Sequence, residues 1–348
     1  HLILMDCQMP EMDGVELVRH LAQLRYRGGL VLMSGEDERI LHTVKLLAQA
    51  HGINVLGAFK KPVAPTMLEQ VLTRHATERG RPARPDRKVY GVVEIERAIK
   101  NGELVNFYQP KVSVPDGKLV GVETLVRWQH PRDGLVFPDQ FIEVAEKNLL
   151  IDDLTRVVLC SALRQYRRWR DSGLSLSIAV NVSMNNLKSL DFLEFVTRNA
   201  GEIGMDLTHL VLEITESQLM HNPLTVLEIL TRLRLRNVTL SIDDFGTGHS
   251  SLAQLRDIPF NELKVDAGFV HDACRNSSRR AILEASLDMA RRLGIQSVAE
   301  GVEDIDDWKF LSEANSCDIA QGYFIAKPMP AESLIAWEQE WSVRQRTK

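Results

Sequence analysis

Apolar positions in the first 60 residues come in short runs, at 1–5 (HLILM), Leu30–Met33 and Ile53–Phe59. Between them Ile40, Val44, Leu47 and Ala48 fall at helical spacing, and a Pro- and Gly-marked loop (CQMPEMDG) opens into another amphipathic segment. The pattern predicts three strands ending on Asp6, on Ser34 and on Lys60-Lys61-Pro62, with helices between them. That is part of a doubly wound sheet whose functional groups sit at its carboxyl edge. Residues 76–88 (ATERGRPARPDRK) are rich in Arg and Pro and poor in apolar side chains, so they read as a connector, with a helix able to extend into it.

A second pattern starts near Tyr90. A short helix at 93–99 precedes two strands, 104–114 and 119–128, which flank the turn Pro115-Asp116-Gly117 and so form a hairpin. Strands are then expected near 176–182, 210–215, 238–243, 260–266, 296–300 and 319–325. Helices are expected near 139–147, 152–171, 190–203, 223–236, 278–293 and 304–314. Alternation on this scale predicts a (β/α)8 barrel, with the hairpin making one strand antiparallel. The expected fold class is therefore α/β, a partial doubly wound sheet at 1–75, a linker at 76–89 and a TIM-like barrel at 90–342.

Composition narrows the function classes. The 348 residues carry a formal charge of -5, which gives no electrostatic reason to expect duplex DNA as a partner. No apolar run is long enough to span a membrane. Cys7, Cys160, Cys274 and Cys317 lie far apart without a CxxC, which argues against a zinc knuckle or a disulfide framework and fits a reducing cytoplasm. The sequence opens at His1 inside an apolar strand, so a segment upstream is expected.

The chemistry concentrates in VTLSIDDFGTGHSSL, residues 238–252. A strand there ends on Asp243 and Asp244 beside Gly246 and Gly248, and paired carboxylates on a turn are hard oxygen ligands for Mg²⁺ or Mn²⁺. Polar residues recur at the other strand ends: Glu123, Asn181, Glu213 with Glu216, Lys264 with Asp266, Glu300 with Glu303, and Gln321. Barrel strands should be nearly continuously apolar, so polar groups ordered strand by strand converge on one mouth of the barrel. So many carboxylates in one place call for cations, one or two Mg²⁺ or Mn²⁺ ions able to clamp a phosphodiester.

Two resemblances follow from these residues. DCQMPEMDG, Ser34 and Lys61-Pro62 resemble the response-regulator receiver family over residues 1–75. The resemblance implies phosphorylation of Asp6, with Ser34 and Lys61 as ligands of the phosphoryl group and a sensor histidine kinase as partner. The family's first strand and acidic pair are absent from this sequence.

Residues 90–340 resemble the EAL-domain cyclic di-GMP phosphodiesterases. The motifs, in the family's order, are Glu123-Thr124-Leu125-Val126-Arg127-Trp128, NVS, ExTE, DDFGTG, KxD, AEGVE and QGY. This resemblance implies hydrolysis of cyclic di-GMP to linear pGpG, and a homodimer or higher oligomer. It implies Glu123, Asn181, Glu213 and Asp243 as ligands of one metal, with Asp243 bridging to a second held with Asp244. Glu300 is then the general base or a water ligand, Lys264 and Asp266 position the water, and Glu216 anchors the DDFGTG loop. Glu303 and Gln321 complete the site, and Gln109, Leu125 and Arg127 match substrate-contacting positions.

Thr124, His249 and Ala267-Gly268 depart from the family pattern without removing a ligand or the base, so an active enzyme is expected over a catalytically silent cyclic di-GMP sensor. His271-Asp272 spells an HD pair but sits in a polar loop without companion histidines, and reads as a solvated pair. No GGDEF-type motif and no helix-turn-helix follow the linker.

Overall fold

The computed structural model describes residues 2–10, 12–35, 38–79, 88–216, 224–247, 252–314 and 317–346. The chain divides into two compact units, His1–Lys88 and Val89–Lys348. In the first, β1 (Leu2–Asp6), β2 (Gly29–Ser34) and β3 (Asn54–Lys60) form a parallel sheet in that order. Helices Gly14–Gln23 and Glu38–Ala50 connect the strands, and Met5, Val18, Leu30, Leu32 and Val44 fill a small core with them. Asp13 caps the first helix by accepting from Glu16 N at 2.8 Å. The last helix, Pro65–Arg79, runs past the expected linker start at residue 76, and the remaining linker residues 80–87 lie outside the described residues.

The second unit contains β4 (Leu104–Ser113), β5 (Leu119–His130), β6 (Gly134–Val136), β7 (Ser177–Asn181), β8 (Leu210–Thr215), β9 (Thr239–Phe245), β10 (Glu262–Val265), β11 (Gln296–Ala299), β12 (Ile319–Ala320) and β13 (Met329–Pro330). Hydrogen-bonded neighbours run β4, β5, β7, β8, β9, β10, β11, β12 and back to β4, which closes a barrel. Strand β4 is antiparallel to both β5 and β12, while the pairs from β5–β7 round to β11–β12 are parallel. The expected (β/α)8 barrel with one reversed strand is present, and the long helices fall within two residues of their expected limits. Helix Ile151–Asp171 shows why: Leu154, Val158, Ala162, Leu163 and Trp169 recur at helical spacing and are buried.

Some elements departed from expectation. The run at 319–325 is a strand only over Ile319–Ala320, because the chain turns at Gly322, where a Cβ would come within 2.3 Å of Val302 backbone. Strand β9 continues through both acids to Phe245, and its register with β10 shifts between Leu263 and Val265. Strand β6, too short to show alternation, and the closing helix Leu334–Arg346 were not anticipated. That helix docks through Trp341, whose Nε1 donates to Gly117 O at 2.7 Å, and the Leu334, Trp337, Trp341 spacing carried the signal.

The barrel's interior is not purely apolar. Lys111, in β4, is 2 % exposed, and its Nζ donates to Glu213 Oε1 in β8 at 2.6 Å and Glu262 Oε1 in β10 at 3.2 Å. Replacing a buried cation leaves its carboxylates uncompensated, which costs more than the pair itself contributes. Lys111→Met is therefore expected to lower the unfolding free energy by about 3–5 kcal/mol, measured by urea denaturation. A midpoint equal to that of the parent chain would contradict this picture of the interior.

Candidate active site

At the carboxyl ends of the parallel strands, Lys264 Nζ (side chain 1 % exposed) is surrounded by acids. It lies 2.7 Å from Glu300 Oε1, 3.0 Å from Asp243 Oδ1, 3.4 Å from Glu213 Oε1 and 3.8 Å from Glu123 Oε2. Adjacent strands thus deliver their acids to one point, as the parallel register between β5, β7, β8 and β9 requires. Asn181 joins from β7, its Nδ2 donating to Glu123 Oε1 at 3.0 Å. Gln321 Nε2 donates to Glu123 Oε2 at 2.6 Å and to Gln109 Oε1 at 3.0 Å, and Gln109 Nε2 is tied to Ala326 O at 3.0 Å.

The charges in this ring do not balance. Among the described residues, Glu123, Glu213, Asp243, Asp244, Glu262 and Glu300 face only Lys111 and Lys264. Burial alone would discharge Lys264, yet Glu123, Glu213, Glu300 and Asp243 hold its pKa well above the ordinary value. Burial pushes Glu300 up to about 8, Asp243 and Glu123 add to the rise, and Lys264 opposes it. Burial also raises Glu123, and raises Asp244 with help from Asp243 and Asp266. Glu213 is the exception. Burial works upward on it too, but Lys111 and Lys264 together hold its pKa below the ordinary value.

These residues fit a divalent cation. Ligand oxygens of Asp243, Asp244 and Glu300 lie within 4.8 Å of one another. Among the described residues, Glu213 Oε2 is buried without a hydrogen-bond partner, as is Gln321 Oε1. A fully buried carboxylate oxygen with no donor is costly, and a cation would satisfy it. The set is hard oxygen plus one amide, the chemistry of Mg²⁺ or Mn²⁺.

The turn after β9 is built to hold the acid pair in place. Asp244 adopts φ 56° and Gly246 φ 101°, where a Cβ on residue 246 would sit 2.8 Å from the Phe269 ring. Gly246 N donates to Glu216 Oε2 at 2.9 Å, and Asp244 N to Asp243 Oδ1 at 2.9 Å. Gly248 and His249 lie outside the described residues.

Beside the ring, a cavity of about 260 Å³ is lined by Leu125, Pro138, Ile142, Val182, Asn181 and Glu146. Arg127 is nearby in sequence, its guanidinium 4.9 Å from the Phe137 ring centroid and 5.7 Å from that of Phe107.

Not every expected site residue joins the ring. Asp266 caps the helix Ala267–Val270, accepting from Gly268 N at 2.8 Å, and meets the ring through its charge on Asp244. Glu303 is more than half exposed and approaches His271 Nε2 at 3.9 Å. The reading of His271-Asp272 as a solvated pair is corrected: His271 Nδ1 donates to the buried Asp307 Oδ2 at 2.9 Å. Lys111 and Glu262 were missed, although a lysine inside the apolar run FYQPKVSV was a signal. In the first unit, Asp6 at the end of β1 is paired with Lys61, which holds its carboxyl below the ordinary range, and Lys61 N donates to Ser34 O at 2.8 Å.

Comparison with known proteins places this geometry. The chain is 41% identical over 244 residues to the bifunctional diguanylate cyclase/cyclic di-GMP phosphodiesterase MucR of Pseudomonas aeruginosa, which covers 70% of this chain and 36% of that protein. It is 34% identical over 333 residues to the cyclic di-GMP phosphodiesterase RocR of the same organism, covering 95% of this chain and 84% of RocR. The chain thus spans about a third of MucR and most of RocR. Among solved structures, a MucR phosphodiesterase complex with c-di-GMP matches with TM-score 0.66 and 40% identity over 70% of this chain and 98% of that one. The EAL domain of Mycobacterium smegmatis DcpA matches with TM-score 0.59 and 31% identity, over 68% and 98%. Among the described residues no helix is long and apolar enough to cross a membrane. The family profile described as the EAL domain matches residues 92–328, and the chain belongs to the EAL-domain family.

Proposed function

We propose that the barrel hydrolyses one phosphodiester bond of cyclic di-GMP to give linear pGpG. The observation that carries this reading is the ring of buried acids around Lys264, with Glu213 Oε2 lacking a partner among the described residues, at the mouth of an EAL-family barrel. The relatives MucR and RocR, named as cyclic di-GMP phosphodiesterases, and the MucR complex with c-di-GMP support it.

Glu123, Asn181, Glu213, Asp243 and Asp244 would hold one or two divalent cations. A bound Mg²⁺ or Mn²⁺ supplies Lewis-acid polarisation of the phosphate and eases deprotonation of water. The chain's own residues do the rest. In its ionised form, which Lys264 favours, Glu300 takes the proton of the attacking water; the water oxygen joins phosphorus, and the ribose oxygen leaves with the bonding pair and takes up a proton from solvent. Lys264 fixes Glu300 and Asp243 by direct ion pairs, and Glu216 fixes the turn after β9 through Gly246 N. Arg127 pairs with phosphate oxygens, its guanidinium held between aromatic faces. Leu125 and the apolar cavity beside Asn181 seat a flat purine ring, while Gln109, Gln321 and Glu303 contact the nucleotide and Asp266 orients water.

We propose further that residues 1–75 are part of a receiver domain that takes a phosphoryl group on Asp6 from a sensor kinase, with Ser34 and Lys61 against it. Its support is the parallel β1-β2-β3 sheet, the Asp6–Lys61 pair at one edge, and a similarity to RocR that runs over both units.

With Mg²⁺ or Mn²⁺ present, the chain is expected to convert cyclic di-GMP to pGpG, followed by chromatography of the products. Glu300→Gln should lower kcat by about 10²–10⁴-fold, the usual contribution of a positioned base. Tight binding of cyclic di-GMP by both proteins without turnover would make this a sensor instead. For the N-terminal unit, a small-molecule phosphodonor should label the protein with acid-labile phosphate. Asp6→Asn should abolish that label, and equal labelling of both proteins would remove Asp6 from the role.

A further inference from the structure

Two loops at the mouth of the barrel carry residues given roles above: the segment after β10, with Asp266, and the segment after β11, with Glu300 and Glu303. Three contacts stitch them together. Gly301 has φ 68°, and a Cβ there would lie 2.3 Å from the Cβ of Ala267, so the second loop rests directly on the first. Arg275 bridges Asp272 and Asp306 across the two loops. The third contact is buried. Asp307, 2 % exposed, accepts from His271 Nδ1 at 2.9 Å, from Asp272 N at 3.0 Å and from Glu303 N at 3.1 Å.

The Asp307 carboxylate therefore holds one loop by a side chain and a backbone amide, and the other by a backbone amide. Its own place is set by Asp304 Oδ1, which accepts from the amides of Asp306 and Asp307 at 2.8 and 2.9 Å. Asp272 sits at φ 61°, an uncommon conformation for a non-glycine residue, and its amide is one of the groups Asp307 captures. Such a backbone outlier persists when its surroundings over-determine it, and clusters near functional sites. His271 is fixed from a second side, since its carbonyl accepts from Arg279 at 2.8 Å, while Asp272 and Glu303 face its Nε2.

We propose that Asp307, with His271 as its partner, is a positioning residue. It sets the height and angle of the segment Glu300–Glu303 against the Asp266 loop, and so the placement of the Glu300 carboxylate at the reacting phosphate. This rests on the phosphodiesterase reading for its effect on rate, but not for its effect on structure. A misplacement of about 1 Å at a reacting group can cost on the order of 10²-fold in rate.

The test compares the full chain with Asp307→Ala, His271→Leu and His271→Asn. It follows cyclic di-GMP turnover with Mg²⁺ and amide hydrogen exchange at Asp272 and Glu303, with thermal unfolding to check that each variant is folded. Asn at 271 keeps a donor where Nδ1 stands, and Leu does not. The expected result is faster exchange at both amides and a kcat about 10–100-fold lower in Asp307→Ala, with a smaller loss in His271→Leu. KM should change little, and His271→Asn should recover most of the rate. Unchanged exchange at Glu303 in a folded Asp307→Ala or His271→Leu protein would overturn the proposal. So would a loss of rate in His271→Asn as large as in His271→Leu. If the parent chain turned over no cyclic di-GMP, the phosphodiesterase reading would fail, and the exchange arm would still decide the positioning role.

Discussion

A barrel interior filled with carboxylates is stable only if their charge is answered, and here two lysines do part of that work from opposite directions. Lys111 rises on the reversed barrel strand β4 and meets Glu213 and Glu262, while Lys264, on a parallel strand, meets Glu123, Glu213, Asp243 and Glu300. Glu213 touches both, and together they hold its pKa below the ordinary value. Glu300 touches one and is pushed toward its neutral form by burial. Two neighbouring carboxylates are thereby given different chemistry by environment alone. The remaining negative charge has no partner within the described residues, and a divalent cation would answer it.

The same interior explains why the strand order matters. Parallel strands bring their carboxyl ends to one mouth: Asn181 stands opposite Glu213, and Glu123 and Asp243 fall two positions from register on the neighbouring strands. The reversed strand β4 breaks that rule. It enters with its own ladder and so brings Lys111 under the acids and Gln109 beside Gln321. Loops then refine what strands deliver. The turn after β9 is held by Glu216, and the segments after β10 and β11 are clamped on Asp307.

Much of this was legible in the sequence, because strands ending on acids carry both the fold and the site in one pattern. Glu123, Glu213, Asp243 and Lys264 could be read as converging, since alternation predicts the barrel and the barrel predicts the meeting point. What could not be read were partnerships with no periodic trace. Lys111 and Glu262 are 151 positions apart and meet only because β4 runs backwards. His271 and Asp307 are 36 apart and meet through two loops whose path no pattern encodes. Asp266 and Glu303 were legible from motif position, but their local partners were not: Asp266 also caps the helix Ala267–Val270, and Glu303 lies near His271 at the rim. The closing helix was overlooked although its Leu and Trp spacing was visible, because the strand–helix alternation had already been satisfied without it.

The central claim is that the acids around Lys264 form a divalent-cation site, and its most direct test is diffraction from crystals grown with Mn²⁺ and measured across the manganese absorption edge. The account predicts an anomalous peak bounded by Glu123, Asn181, Glu213, Asp243 and Asp244, within bonding distance of Glu213 Oε2. Well-ordered crystals with no peak there would contradict it, as would a peak confined to another cluster such as His271, Asp304 and Asp307. Lys111 and Lys264 would then be left to answer the charge.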